Sequence, residues 1–129
     1  MIVPGLLLLL LGCEDDPSAD KDLARLERME QEIRDYIAVA PCSDSTVCAV
    51  VALGAKPCGG PWGYLVYSQA TVDSAVLAEM AREYTEFNDL LNRRWGWVST
   101  CDLARHPQVA CRDGACVDTL HLYDDGIPP

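Results

Sequence analysis

The chain is poor in the residues and spacings that build the commonest metal and nucleotide sites. It has two histidines, no Cys-x-x-Cys pair among its seven cysteines and no glycine-rich nucleotide-binding motif. Structural zinc sites usually need closely spaced cysteine and histidine ligands. We therefore expect no metal and no cofactor, and so many cysteines in a short chain favour disulfides formed in an oxidising compartment.

Basic residues are also scarce. Ten Lys and Arg stand against twenty Asp and Glu, which gives a formal charge of −10 at pH 7. An acidic chain is repelled by nucleic acid and by anionic lipid head groups. We therefore expect no nucleic-acid partner, and attachment to a membrane would need a covalent lipid.

No apolar stretch approaches the roughly 20 residues that a bilayer-spanning helix requires. The most apolar stretch, residues 1–11, ends in an unbroken leucine run and leads into Gly12 and Cys13. Its length fits the hydrophobic region of a secretory signal peptide, although it contains no Lys or Arg. The acidic, proline-containing residues 14–20 predict a short disordered tether after it.

The segment Leu10-Leu11-Gly12-Cys13 resembles the lipobox of bacterial lipoproteins. The resemblance implies that residues 1–12 are removed as a signal peptide and that the sulfur of Cys13 carries lipid. It also implies a lipid-anchored position in the bacterial cell envelope, with the outer membrane as the expected location. Residues 13–19 would then form the lipidated tether, and the remaining six cysteines could pair fully.

A first amphipathic helix is predicted over residues 20–40, with Asp20 as its N-cap and Pro41 as the residue that ends it. Its apolar residues recur three and four positions apart, which is the spacing of one helix face. They are Leu26, Met29, Ile33, Tyr36 and Ala40.

A second, longer helix is predicted from a cap at Thr71 or Asp73 to about Trp95. Arg93 and Arg94 suit the carboxyl end of the helix dipole, and Gly96 suits the position after the last turn. Its apolar stripe is Leu77, Met80, Tyr84, Phe87 and Leu91.

Short β-branched or aromatic runs predict strands at 47–53 and 62–67, and a third strand could cover 97–101. A hairpin is predicted over 109–120, because Asp113-Gly114 is a strong two-residue turn signal that would place Cys111 opposite Cys116.

The order of these elements predicts the α+β class. We expect a small disulfide-stapled domain over 41–122 in which a long helix packs on an antiparallel sheet. The N-terminal amphipathic helix would precede this domain, and a tail at 123–129 would follow it.

Pairing of the six remaining cysteines is left open by the sequence. Two local bridges, Cys42 with Cys48 and Cys111 with Cys116, are one arrangement, and bridges from Cys42 and Cys48 to the terminal hairpin are the other. We favour a bridge between Cys58 and Cys101, because these residues flank the long helix and a bridge would clamp it onto the sheet.

The segment GAKPCGGPWGYLVYS, residues 54–68, stands out together with the later cysteines. With them it resembles small uncharacterised cysteine-rich envelope lipoproteins of Gram-negative bacteria, a resemblance that covers most of the chain after Cys42 and implies no activity.

Two interpretations of this loop remain open: a binding loop for a peptide, glycan or anion, or a tight strand connection fixed by Cys58. In the first interpretation the binding residues are Lys56, Gly59, Gly60, Trp62 and Tyr64.

No catalytic arrangement is recognisable. Asp102 and His106 are four residues apart, but Pro107 would break a helix through them, and His121 lies near a polar end of the chain. We therefore expect a non-enzymatic protein.

Two functions remain open. The preferred function is a structural or interaction module of the envelope. The alternative is an inhibitor or protective binder of a basic secreted enzyme, such as a lysozyme or a protease. In that case the acidic charge of this chain would speed its association with the basic enzyme.

Overall fold

The computed structural model describes residues 17–120, which form an α+β fold with two helices, two antiparallel sheets and three disulfides. Cys13, the predicted signal peptide, His121 and the predicted tail lie outside the described residues. The elements in chain order are helix α1 (Ala19–Ile37), a 3-10 turn (Ser45–Val47), strands β1 (Cys48–Leu53) and β2 (Gly63–Ser68), helix α2 (Ser74–Trp95), and strands β3 (Val109–Arg112) and β4 (Ala115–Asp118).

Helix α1 begins and ends differently from the sequence prediction. Ser18, not Asp20, is the N-cap, and its hydroxyl accepts a hydrogen bond from the Lys21 amide at 3.2 Å. The helix ends at Ile37, where Ala38 takes a positive φ of 46°. The reason is downstream: the carbonyl of Ala40 accepts from the Cys116 amide of β4, so the chain must leave the helix before Pro41.

Helix α2 has the ends that the sequence predicted. The carboxylate of Asp73 accepts from the amides of Ala75 and Val76, which satisfies donors that the first turn leaves unpaired. Gly96 adopts the left-handed conformation with φ of 63°, and its amide donates to the carbonyl of Asn92. Capping residues at both ends therefore set the length of this helix.

The strands form two separate hairpins instead of the single predicted sheet. β1 pairs with β2 from Cys48 opposite Ser68 to Leu53 opposite Gly63. β3 pairs with β4 around Asp113-Gly114, with Cys111 opposite Cys116 as predicted. A disulfide between Cys48 and Cys116 joins the hairpins, where a continuous sheet would use backbone hydrogen bonds.

The predicted strand at 97–101 is wrong, because these residues have no regular secondary structure. Two of them are attached to the loop between β1 and β2 instead of pairing with a strand. The hydroxyl of Ser99 accepts from the Cys58 amide at 3.3 Å, and Cys101 forms a disulfide with Cys58.

All three disulfides connect segments that are far apart in sequence. Cys42 bonds to Cys111 and Cys48 to Cys116, with separations of 69 and 68 residues. These bonds exclude the two local bridges and match the alternative that tied Cys42 and Cys48 to the terminal hairpin. The favoured bridge between Cys58 and Cys101 is present, with a separation of 43 residues.

The core draws its residues largely from the two helices and from β1 and β2. Ile33 of α1 and Leu77 and Leu91 of α2 are fully buried. Polar contacts also join the helices: Asp22 of α1 accepts from Arg94 at 2.9 Å and from the Trp95 indole at 3.0 Å. Neither described helix is both long enough and apolar enough to cross a bilayer.

Two adjacent leucines of α2 allow a test of which face of the helix contributes to the core. Leu91 has no exposed surface, whereas Leu90 is 40% exposed. We expect Leu91→Ala to lower the free energy of unfolding by about 2–5 kcal/mol, because it removes buried methyl groups and leaves a cavity. Leu90→Ala should cost less than about 1 kcal/mol. Guanidinium unfolding followed by circular dichroism measures both, and equal losses would contradict the assigned helix face.

Candidate binding groove

The loop between β1 and β2 is closed by its own backbone hydrogen bonds. The Trp62 amide donates to the carbonyl of Leu53, and the Lys56 amide donates to that of Gly60 at 2.9 Å. Gly54 has a φ of 81°, and a Cβ there would lie 2.8 Å from the Trp62 ring. This position therefore requires glycine both for its backbone conformation and for the close approach of the indole.

Three side chains of α2 hold the start of this loop. Thr85 accepts from the Gly54 amide at 3.1 Å, and Asn88 accepts from the Ala55 amide at 2.8 Å. The amide nitrogen of Asn92 donates to the Ala55 carbonyl at 2.7 Å. Sequence reasoning missed both asparagines. The available signal was their position: they follow Tyr84 at intervals of four, so they fall on the apolar face of α2.

Lys56 points into the protein instead of offering its charge to a ligand. Its side chain is only 6% exposed, and its ammonium donates to the Asp102 carbonyl at 2.7 Å and to the Asp102 carboxylate at 3.2 Å. It also lies 5.4 Å from the centre of the Trp62 ring. Burial of a lysine is costly unless such partners compensate it, so Lys56 is an internal brace of the loop.

The residues after α2 form the other support of the loop. The disulfide between Cys58 and Cys101 joins the two segments, and the ring of His106 packs against Tyr64 of β2 at 4.9 Å. The structure thus brings Asp102 to Lys56 and His106 to Tyr64. Of the predicted loop residues, Gly59 and Gly60 take positive φ in the turn, where Gly60 faces Leu103.

Two cavities meet at Trp62, whose side chain is half exposed. The first has a volume of about 190 Å³ and the second about 390 Å³. Glu30, Trp62 and Tyr84 line both, so we treat the cavities as one surface and call it the Trp62 groove. The first cavity adds Arg34, Leu53, Gly63, Tyr64 and Leu65, and the second adds Leu26, Asn88, Asn92, Trp97 and Val98.

The charged groups of the groove neutralise each other. The carboxylate of Glu30 accepts two hydrogen bonds from Arg34, at 2.9 and 2.7 Å. The hydroxyl of Tyr84 donates to the same carboxylate at 3.4 Å. Burial, reinforced by the negative charge of Glu30, raises the pKa of Tyr84 to about 12, so the phenol stays protonated and remains a donor.

One buried polar atom of the groove residues has no partner. The carbonyl oxygen Oδ1 of Asn92 accepts no hydrogen bond, although the residue is only 6% exposed. The amide nitrogen of the same side chain is committed to Ala55. An unpaired buried acceptor is unusual in a folded protein and needs an explanation.

A cluster of cysteine sulfurs lies at the end of the β1–β2 hairpin that is remote from the loop, where Cys48 is opposite Ser68. The sulfurs of Cys42, Cys48 and Cys116 lie within 4.8 Å of one another. All three belong to disulfides, and a disulfide sulfur is not the thiolate that binds zinc. These sulfurs therefore act as staples.

Comparison of the chain with protein-family models, with curated proteins and with solved structures found no match.

The pKa of Asp102 reports on the contact between its carboxylate and the Lys56 ammonium. A hydrogen bond from the Thr100 side chain and then one from Lys56 hold the pKa of Asp102 below its usual range. Because the folded-state pKa is lower than the unfolded one, these contacts stabilise the fold above the unfolded pKa of about 3.9, and that stability is lost as the pH falls.

We expect Lys56→Met and, to a larger extent, Thr100→Val to raise the pKa of Asp102 toward its usual range. An NMR titration of the carboxyl carbon measures the change. Asp44, whose pKa is lowered by hydrogen bonds from the backbone and then the side chain of Thr46, is the internal control and should be unaffected by either substitution. An Asp102 titration that is unchanged in both variants would contradict the described contacts.

Proposed function

We propose that this protein is a non-enzymatic lipoprotein of the bacterial cell envelope, in which lipid on Cys13 anchors a stapled interaction domain. One observation carries the proposal: the six cysteines of residues 17–120 pair completely among themselves. None of them needs Cys13 as a partner. The seventh cysteine is thus available for lipid, and with Gly12 before it, it follows an apolar stretch of signal-peptide length, residues 1–11.

The domain would present the Trp62 groove to another envelope component. We infer that α2 packs across the β1–β2 hairpin and so fixes the position of the groove. This arrangement is supported by the hydrogen bonds from Thr85, Asn88 and Asn92 to residues just after β1. The disulfides would keep this frame intact in an environment that oxidises thiols.

Replacement of the lipidated residue tests the anchoring. Each buried methylene of an acyl chain contributes about 0.8 kcal/mol of membrane affinity, so two or more chains anchor a protein stably. We expect Cys13→Ser to move the protein from the membrane pellet to the soluble fraction and to abolish incorporation of an alkynyl palmitate label. The full set of disulfides should still form, as thiol titration would show. A Cys13→Ser protein that stays in the pellet and keeps the label would refute the proposal.

A second function is favoured by the distribution of charge. Several arginines are already held by carboxylates, as in the pairs Arg34–Glu30, Arg93–Asp89 and Arg94–Asp22, and Lys56 is buried. The formal charge of −10 therefore leaves a surplus of carboxylates for a basic partner. An inhibitor of a basic secreted enzyme would use this surplus.

Inhibition assays distinguish the two functions. If the inhibitor function is correct, micromolar protein should inhibit a lysozyme or a trypsin-like protease at low salt. Inhibition should weaken strongly at about 0.5 M NaCl, because salt screens exposed charges. Full activity of both enzymes at low salt would exclude this function for these targets and leave the interaction module.

A further inference from the structure

We propose that the Trp62 groove binds a neutral saccharide ring. This inference deepens the proposed interaction function, since it names the chemical class that the domain would recognise. Three properties of the groove support it: an aromatic platform, a buried acceptor without a donor, and charged groups that cancel.

The platform is Trp62. The residue is 50% exposed, although the loop backbone and the ammonium of Lys56 hold it in place. An indole combines an apolar face with a polar edge. A pyranose ring has the matching form, because one face carries C–H groups and the rim carries hydroxyls. The half-exposed indole, lining both cavities, gives such a ring a surface on which to stack.

Asn92 supplies the acceptor. Its Oδ1 atom has no hydrogen-bond partner among the described residues, and its amide nitrogen is occupied by the Ala55 carbonyl. The atom is itself buried, so a sugar hydroxyl or the N–H of an acetamido group would supply the missing donor once the side chains that cover it move aside on binding. An anionic ligand such as phosphate, which presents mainly acceptor oxygens, would leave this atom unpaired.

The charges of the groove favour a neutral sugar over an anion, which the 54–68 segment had also suggested as a ligand. An anion would need a free cation, but Lys56 is buried against Asp102 and Arg34 is held by Glu30. The formal charge of −10 repels anions further. The Glu30–Arg34 pair can still accept from and donate to hydroxyls, which suits a ligand that is polar but uncharged.

The groove is also largely pre-formed. The larger cavity, about 390 Å³, falls within the range of roughly 300–1,000 Å³ typical of small-molecule sites. The disulfide between Cys58 and Cys101 and the hydrogen bonds from α2 fix the loop that carries Trp62. A site fixed in this way loses little conformational freedom on binding.

The three tryptophans allow a direct test. The whole chain, labelled with nitrogen-15 and purified in detergent micelles with its disulfides formed, is titrated with triacetylchitotriose and separately with cellotriose. We expect the indole N–H signals of Trp62 and Trp97 to shift and saturate, with a Kd of about 1–10 mM for at least one sugar. Trp95, whose indole nitrogen donates to Asp22, lies outside the groove residues and is the internal control.

Variants assign the binding to the platform. Trp62→Ala should weaken sugar binding at least about tenfold, which corresponds to about 1.4 kcal/mol, as reported by the Trp97 signal. Trp62→Phe should retain part of the affinity, and it decides the question if the alanine variant does not fold. Leu103→Ser is the matched control, because Leu103 is exposed and near Gly60 but does not line the groove.

Three results would overturn the proposal. One is the absence of any shift with either sugar at about 50 mM, which is several times the highest expected Kd. Another is sugar binding that Trp62→Ala and Trp62→Phe leave unchanged. The third is a trialanine peptide that shifts Trp62 and Trp97 where both sugars fail, which would assign the groove to peptides. None of these results depends on lipid at Cys13, so the anchoring proposal is tested separately by the Cys13→Ser fractionation.

Discussion

Long-range disulfides compensate for the small amount of apolar surface that this chain can bury. Only a few large side chains of the described residues are fully buried, and most of them belong to α1 and α2. The two hairpins have two strands each, and isolated two-stranded sheets are marginally stable in water. Bridges that close loops of 43 to 69 residues restrict the unfolded chain strongly, by about 4 kcal/mol each in the loop-entropy description. The positions of β3, β4 and the loop before β2 all follow from these bridges.

Buried polar side chains, together with the disulfides, fix the path of the irregular segments. Asn88, Asn92 and Lys56 occupy positions where apolar residues would pack with less cost, and each bonds to backbone atoms of a segment that has no regular structure. An apolar side chain could not satisfy those backbone groups, and unsatisfied buried groups destabilise a fold. The polar residues therefore specify the path of two irregular segments, the loop between β1 and β2 and the residues after α2. Because Trp62 belongs to this loop, its position is fixed as well. Asn92 Oδ1 is the exception, since it satisfies nothing within the described chain.

The sequence predicted the features that depend on local chemistry. Asp73 and Gly96 mark the ends of α2 because capping groups act within one turn, and Asp113-Gly114 marks the hairpin because few residues adopt its backbone angles. Features set by distant contacts were missed. The end of α1 depends on β4, the irregular path of 97–101 depends on Cys58, and the division into two sheets depends on bridges between them. At the candidate site, Trp62 and Tyr64, which were predicted as binding residues from the 54–68 segment, line the Trp62 groove. Lys56 was predicted with them, but it is buried. No local pattern could indicate this, because its partner Asp102 is 46 residues away.

Acidity, lipid and a neutral groove are consistent with one another in the proposed function. A surface with a net charge of −10 is repelled by anionic head groups, so the protein itself would not lie against such a membrane. Lipid on Cys13 would supply the attachment, and the acidic residues that follow would keep the domain away from the bilayer. The groove is then free to face another component. A neutral ligand is also the class that this surface repels least, because its binding involves no net charge for the surrounding carboxylates to oppose.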